Sequence, residues 1–120
     1  MNDMEPIMKL KRQVASLVPY RRTADGYEFY LQKRDTNTKL NPGLFGIFGG
    51  GIEGSETPEE GMLREIREEL MDTPAQPVLF CEYEAGRGKL YVFIEEVGSN
   101  FESNVSVAEG EYGRFLKTSE

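Results

Sequence analysis

The sequence predicts a single α+β domain in which one helix packs on a mixed or antiparallel β-sheet. Several short segments rich in β-branched and aromatic residues alternate with glycine-containing turns, whereas only one segment combines a helical period with a helix start signal. The chain has 120 residues, the size of one ordinary domain, so residues 1–120 are expected to fold together.

The N-terminal part is predicted to form a hairpin followed by a short buried strand. Two apolar segments, Arg12–Arg22 and Tyr27–Lys33, flank the turn dipeptide Asp25-Gly26. The polar segment Asp35–Gly43 is predicted to be a loop, and the apolar run Leu44–Phe48 is predicted to be the next strand.

The helix is predicted to begin at Thr57, after the glycine run Gly49–Gly51 has broken the chain. Thr57 is a typical N-cap, Pro58 suits the first helical position, and Glu60 completes a capping box. We expect Thr73-Pro74 to end this helix. Apolar residues recur at helical spacing and define the face that meets the core: Met62, Leu63, Ile66 and Leu70.

Four further strands are predicted in the C-terminal part, with a loop over Gly98–Asn104. An acidic turn that contains Glu109 and Glu111 separates the last two strands. The four segments are Val78–Tyr83, Leu90–Glu96, Val105–Val107 and Arg114–Leu116.

Composition excludes several classes of function. The chain has no histidine and one cysteine, Cys81, which excludes serine–histidine hydrolases, histidine-bearing zinc sites and an internal disulfide. A metal site would therefore use oxygen ligands, which suit Mg²⁺, Mn²⁺ or Ca²⁺. The 14 basic and 21 acidic residues give a net charge of −7, which disfavours non-specific binding to DNA.

We expect neither a transmembrane segment nor a signal peptide in this sequence. No apolar run approaches the roughly 18 residues that a membrane-spanning helix needs, and the first ten residues include acids and a proline. We therefore expect a cytoplasmic protein that does not enter a membrane.

Three carboxylates crowd the C-terminal half of the predicted helix. Glu65 lies three and four residues before Glu68 and Glu69, so the three like charges share one side of the helix. The helix dipole also disfavours acids at this end, while Arg64 sits between Glu60 and Glu68 at favourable spacing. The cluster is either a solvated acidic face or a divalent-cation site, and we favour the cation site because Glu65 and Glu69 have no lysine or arginine three or four residues away.

The spacing of these residues resembles the box of the Nudix hydrolase family. Gly50, Glu56 and the segment Arg64–Glu69 reproduce its glycine, its first glutamate and its Arg-Glu-apolar-any-Glu-Glu core. Met71 and Asp72 stand where the family has a glycine and an aliphatic residue, a change expected to affect the helix C-cap more than the metal ligands. The run Gly49–Gly54 also satisfies G-x-G-x-x-G, but the surrounding glutamates and the short chain disfavour a dinucleotide-binding fold.

The resemblance implies the Nudix fold, a mixed β-sheet sandwiched by helices. The family's usual C-terminal helix is expected to be missing, because only Lys117–Glu120 follow the last apolar residues. Part of one sheet face would then lack its cover, so we expect a homodimer or a fragment of a longer protein.

The resemblance also implies a magnesium- or manganese-dependent hydrolase that cleaves a pyrophosphate linkage. It assigns Glu65, Glu68 and Glu69 to metal binding and water activation, without indicating which of them is the base. Arg64 resembles the arginine that orients a catalytic glutamate, and Glu56 holds a supporting position. Further metal ligands would be a backbone carbonyl of the turn at Gly49 and Gly50, and an acid from a later loop, for which Glu109 is the first candidate and Glu111 the second.

The substrate implied by the resemblance is a nucleoside diphosphate linked to another moiety, and the short chain favours a nucleoside triphosphate. Arg34 and Arg87 are the candidate phosphate-binding residues, with Arg22 and Lys89 as weaker ones. The alternative is a Nudix-like module that binds a nucleotide without cleaving it.

Overall fold

A computed structural model describes residues 12–33, 45–86, 88–107 and 112–117. Within these residues, seven strands and two helices follow one another along the chain. They are β1 (Arg12–Thr23), β2 (Gly26–Lys33), β3 (Phe45–Gly46), β4 (Phe48–Gly51), α1 (Pro58–Leu70), β5 (Val78–Ala85), β6 (Gly88–Glu96), α2 (Phe101–Asn104) and β7 (Tyr112–Lys117).

The strands form one mixed sheet, as the sequence predicted. The strand order is β3-β2-β1-β6-β5, while β4 pairs with β1 and β7 pairs with β2. The β1–β6 pair is parallel and the other pairs are antiparallel. Strand β1 is long because its N-terminal half pairs with β4 and its C-terminal half pairs with β2.

Both described helices lie on the same face of the sheet. Ala15 and Leu17 of β1 point to this face, where they pack with the apolar side of α1 in one buried cluster. Phe101 of α2 joins the same cluster through edge contacts with the rings of Tyr30 and Phe115. The helix residues predicted to face the core do so: Met62, Ile66 and Leu70 are buried and Leu63 is partly buried.

The glycine run Gly49–Gly51 does not break the chain as predicted but continues strand β4. Gly49, Gly50 and Gly51 pair with Ser16, Ala15 and Val14 of β1. The predicted strand Leu44–Phe48 is instead interrupted at Ile47, because the chain leaves β2 after Gly46 and joins β1 at Phe48. The glycines are tolerated in the sheet because backbone pairing with β1 needs no side chain.

Several boundaries also differ from the prediction: β5, β6 and β7 extend two residues or fewer beyond the predicted strands. The hairpin turn is Ala24-Asp25, one residue earlier than expected, and Gly26 with φ 134° opens β2. Helix α1 ends at Leu70, because Met71 adopts the left-handed conformation at the C-cap, before Thr73-Pro74 is reached.

The segment after β6 also folds differently. Phe101–Asn104 forms a helical turn where a loop was predicted, because the apolar Phe101 packs into the core. Val105–Val107 is irregular instead of a strand: the Ser106 amide donates to the Leu70 carbonyl, at the end of α1, and is not paired in the sheet. The described helices include none with the length and hydropathy to cross a bilayer.

Candidate active site

The start of α1 is built as the sequence predicts, and this fixes the orientation of the whole helix. The Glu60 amide donates to the Thr57 Oγ1 at 3.1 Å, while the Thr57 amide donates to the Glu60 Oε1 at 2.8 Å. Pro58 occupies the first turn. Because Glu60 is engaged in the cap, it does not form the predicted ladder with Arg64; the Arg64 guanidinium turns instead to Glu56 and Glu65.

The glycines of β4 let the second half of α1 approach the sheet backbone. A Cβ atom on Gly50 would fall inside the carboxylate of Glu65, so the absence of a side chain at residue 50 leaves the space that this carboxylate occupies. One turn further along, the Gly49 amide donates to the Glu69 Oε1 at 2.7 Å. Two of the three predicted metal-binding glutamates thus lie against the backbone of Gly49 and Gly50.

Arg64 connects the two ends of the candidate site. Its guanidinium donates to both carboxylate oxygens of Glu56, at 2.8 and 3.0 Å, and to the Glu65 Oε2 at 2.7 Å. It also donates to the Gly51 carbonyl at 2.9 Å. Glu68 is further away, at 3.8 Å, and 61% of its side chain is exposed. Arg64 therefore holds Glu65 in place while Glu68 remains open to solvent.

The charges of this network stabilise one another. Hydrogen bonds from Arg64, and then from the Glu53 backbone, lower the pKa of Glu56 from 4.5 to about 2. The carboxylates of Glu56 and Glu65 in turn raise the pKa of Arg64. Both partners of the Glu56–Arg64 pair are therefore charged at neutral pH.

Several predicted site residues fall outside the described part of the chain: Arg34, Arg87, Glu109 and Glu111. The neighbours of Glu109 are nevertheless informative. The Ser106 amide donates to the Leu70 carbonyl at 3.0 Å, so the chain passes the C-terminal end of α1 three residues before Glu109. Of the weaker phosphate-binding candidates, Arg22 lies 3.1 Å from Glu96 and Lys89 lies 3.0 Å from Glu82.

The donor chemistry of the site fits a hard divalent cation. In the described residues, no group of three acidic side chains stands close enough together to bind an ion without adjustment, because Glu65 is turned towards Arg64 and Glu69 towards the Gly49 amide. The side chains are nevertheless carboxylates that lie around the three glycines of β4, Gly49–Gly51. Oxygen donors of this kind are the ligands that Mg²⁺ and Mn²⁺ prefer.

The sequence predicted a backbone carbonyl of Gly49 and Gly50 as a metal ligand, but not the backbone contacts that hold the side chains of the site. The Gly51 carbonyl and the Gly49 amide hold Arg64 and Glu69, and nothing in the local pattern predicts these contacts. Gly61 was missed as well: a Cβ there would lie 3.2 Å from Ile52 Cγ1 and 3.3 Å from Glu56 Oε1. Gly61 lies on the side of α1 that faces Glu56, a glutamate of the box, and this place in the helix was the signal that could have identified Gly61 as part of the site.

The sequence matches a known family over most of its length. A family model described as the NUDIX domain matches residues 11–116. The nucleoside triphosphatase NudI from Salmonella agona (strain SL483) is 46% identical over 46 residues, which are 38% of this chain. The match spans 32% of that relative, about a third of its length.

Solved structures share the fold at low sequence identity. The MutT NUDIX hydrolase from Burkholderia pseudomallei has a TM-score of 0.67 and 22% identity, over 88% of this chain and 81% of that chain. A MutT/nudix family protein from Enterococcus faecalis has a TM-score of 0.70 and 14% identity, over 88% of this chain and 44% of that chain. Because the sheet, the helix with its carboxylates and the family match over residues 11–116 agree, the chain belongs to the Nudix family.

Proposed function

We propose that this protein is a Nudix pyrophosphohydrolase that requires Mg²⁺ or Mn²⁺ and cleaves the pyrophosphate linkage of a nucleoside diphosphate bearing another moiety. The observation that carries the proposal is the packing of Glu65 and Glu69 against the glycines of β4, with Arg64 between Glu56 and Glu65. A helix with a purely structural role gains nothing from two carboxylates that face a neighbouring strand at its C-terminal end, where the helix dipole is negative.

Glu65, Glu68 and Glu69 would hold the cation, together with a backbone carbonyl of the Gly49-Gly50 segment and Glu109. When bound, the cation neutralises phosphoryl oxygens and lowers the pKa of an attacking water. The chain itself orients these ligands: Arg64 restrains Glu65, and the Gly49 amide restrains Glu69. The Ser106 amide donates to the Leu70 carbonyl at the end of α1, and Glu109 follows Ser106 three residues later in the sequence.

Arg34 and Arg87 would contact the substrate phosphates. A nucleoside triphosphate is the favoured substrate class, which the similarity to NudI, a nucleoside triphosphatase, supports. Such a substrate and the single cysteine of the chain support a cytoplasmic location.

The alternative, a module that binds nucleotides without cleaving them, is motivated by Met71 and Asp72, which depart from the box. Met71 nevertheless takes φ 55° and ψ 38°, the left-handed C-cap conformation for which glycine is commonly used. The helix therefore ends as it would with a glycine, and the carboxylates of α1 keep their positions.

Phosphate and pyrophosphate release across a panel of nucleotides, with Mg²⁺ or Mn²⁺, tests the proposal. We expect turnover that chelator abolishes and that rises towards alkaline pH, because the attacking water must lose a proton and the chain has no histidine. Full turnover in excess chelator would contradict the metal requirement. Nucleotide binding without any turnover would favour the non-catalytic module.

A further inference from the structure

A buried glutamine lies on the same face of the sheet as the carboxylates of α1. Ser16 and Gln32 are the two buried polar side chains among the described residues. Ser16 is accounted for within the fold, because its hydroxyl donates to the Tyr91 carbonyl at 3.3 Å. Gln32 is only 4% exposed and follows the buried Tyr30 by two residues, so both side chains point to the α1 side of the sheet. An apolar residue is the usual choice at such a position, because burial of an amide is unfavourable unless the amide is hydrogen-bonded.

The strands on either side of β2 place no side chain of their own opposite Gln32. Its partner on β3 is Gly46, and its partner on β7 is Gly113. The place above Gly113 is taken by Tyr30, because a Cβ atom on Gly113 would overlap the hydroxyl end of the Tyr30 ring. Gln32 is therefore bordered by a phenol on its β7 side and by bare backbone on its β3 side.

The β3 side of Gln32 leads directly to the candidate active site. Gly46, the partner of Gln32, precedes Gly49 by three residues, which span at most about 10 Å of chain. The Gly49 amide is the group that holds Glu69. This separation is comparable with the length of a nucleotide between its phosphate chain and its base. A nucleotide whose phosphates lie at the carboxylates of α1 can thus bring its base to Gln32.

The amide of Gln32 has the hydrogen-bonding groups that recognise a nucleobase. A carboxamide carries two N–H donors and an oxygen that accepts two bonds, so the interaction that Gln32 has within the chain leaves capacity for a ligand. Each nucleobase has an edge with a donor beside an acceptor, and glutamine pairs with adenine in this way in protein–DNA complexes. A buried amide favours a ligand that offers the matching pair, because a mismatch leaves a polar group without its bond.

We propose that Gln32 is a specificity-determining residue that binds the base of the nucleotide substrate through its side-chain amide. This inference rests on the proposed function, because it takes the substrate phosphates to lie at the carboxylates of α1. It adds the group that distinguishes one nucleotide from another. Gln32 takes no part in cleavage, since it contacts the base and not the pyrophosphate linkage.

Replacement of the amide by an apolar side chain of similar size tests the contact. Gln32→Leu should lower kcat/KM for nucleoside triphosphates about tenfold or more. The loss should appear mainly in KM, because a contact made equally in the ground state and the transition state contributes to binding alone. Inorganic tripolyphosphate has the same anhydride linkages and no base, so its hydrolysis, or its inhibition of nucleotide hydrolysis, should stay as in the wild type. Thermal unfolding verifies that the variant is folded at the assay temperature.

A change from amide to carboxylate tests which edge of the base is bound. Gln32→Glu presents two acceptors, which match the two adjacent N–H groups of guanine. We expect kcat/KM for GTP relative to that for ATP to rise about tenfold. Gln13→Glu is the matched control: Gln13 is an exposed glutamine at the start of β1, paired with Lys89 of β6, and the same change there should leave the ratio unaltered. If Gln32→Glu does not fold, the leucine variant still decides.

Two kinetic results would overturn the assignment of Gln32. If Gln32→Leu impairs the turnover of tripolyphosphate as much as that of nucleotides, the role of Gln32 is structural. If the variants of Gln32 that fold keep the wild-type kcat/KM for the four nucleoside triphosphates, the base is bound elsewhere.

Failure of the catalytic proposal is a separate outcome, in which the wild type turns over none of these compounds. Dissociation constants of the same nucleotides with Mg²⁺, from calorimetry, then test Gln32 by themselves. Weaker binding to Gln32→Leu than to the wild type would support the role in base recognition. Equal constants, or no binding to the wild type, would overturn it.

Discussion

The two halves of helix α1 use the same residue, glutamate, for opposite purposes. In the first turn, Glu60 closes the capping box, and Glu59 is placed where the helix dipole favours an acid. In the second half, Glu65 and Glu69 stand where the dipole disfavours them, and the Gly49–Gly51 strand and Arg64 hold them. A carboxylate that the helix dipole disfavours, and that tertiary contacts nevertheless hold in place, indicates a chemical role. A carboxylate that the helix dipole favours indicates a structural role.

The largest effect that tests this contrast is expected from Glu69→Gln. We expect hydrolysis to fall at least 100-fold, because the variant removes a charge from the proposed ligand set. The unfolding free energy of the metal-free protein should change by about 1 kcal/mol or less, since the weaker acceptor for the Gly49 amide is offset by relief of like charges.

Glu59→Gln is the matched control, from the first turn of the same helix. It should cost a few tenths of a kcal/mol of stability, about the size of one dipole interaction, and leave hydrolysis almost unchanged. If Glu69→Gln destabilises the metal-free protein while hydrolysis persists, Glu69 is structural and the contrast between the two halves fails.

Gly50→Ala should have the next largest effect. The new Cβ would fall inside the Glu65 carboxylate and displace it, so we expect a strong loss of hydrolysis and a stability loss of about 1–3 kcal/mol. Gly46→Ala in β3 is the control, because a Cβ there meets nothing within 4 Å. Equal activity of the two variants would show that the position of Glu65 is not critical. Steady-state kinetics and chemical denaturation measure both quantities.

Acid titration separates the Arg64 network from the rest of the fold. The pKa of Glu56 is about 2 in the folded protein against an ordinary value of 4.5, so its ionisation stabilises the fold above pH 4.5. This contribution is lost as the pH falls from 4.5 to 2. We expect the stability of Glu56→Gln to fall less steeply over this range than that of the wild type, measured by denaturant unfolding. Parallel curves would mean that Arg64 does not hold Glu56 ionised.

The smallest effect is expected at the C-cap. Met71→Gly should raise the unfolding free energy by about 0.5–1 kcal/mol, because glycine adopts the left-handed conformation without the clash of a side chain. Met71→Ala keeps the clash and should give no gain, which separates the backbone effect from loss of the methionine side chain, already 72% exposed. Thermal unfolding measures the difference. Equal stability of the two variants would show that Met71 is not strained.

Features that depend on residues close together in the chain could be predicted from the sequence. The cap at Thr57, the core side of α1 and the strands β1, β2, β5 and β6 follow from local pattern, to within a few residues at their ends. The candidate carboxylates were predictable for the same reason, because helical spacing places Glu65, Glu68 and Glu69 together.

The partners of those carboxylates were decided by the tertiary structure alone. The glycines of β4 looked like a break in the sequence, and only their pairing with β1 made them a strand whose backbone receives Glu65 and Glu69. Likewise, Arg64 was expected to bridge Glu60 and Glu68 along the helix. It keeps an ion pair with Glu68 at 3.8 Å, but its hydrogen bonds go to Glu56, Glu65 and the Gly51 carbonyl instead of Glu60. The physical reason is that helix periodicity determines which side chains share a side of α1, whereas their bonding partners depend on which strand the finished sheet brings beneath them.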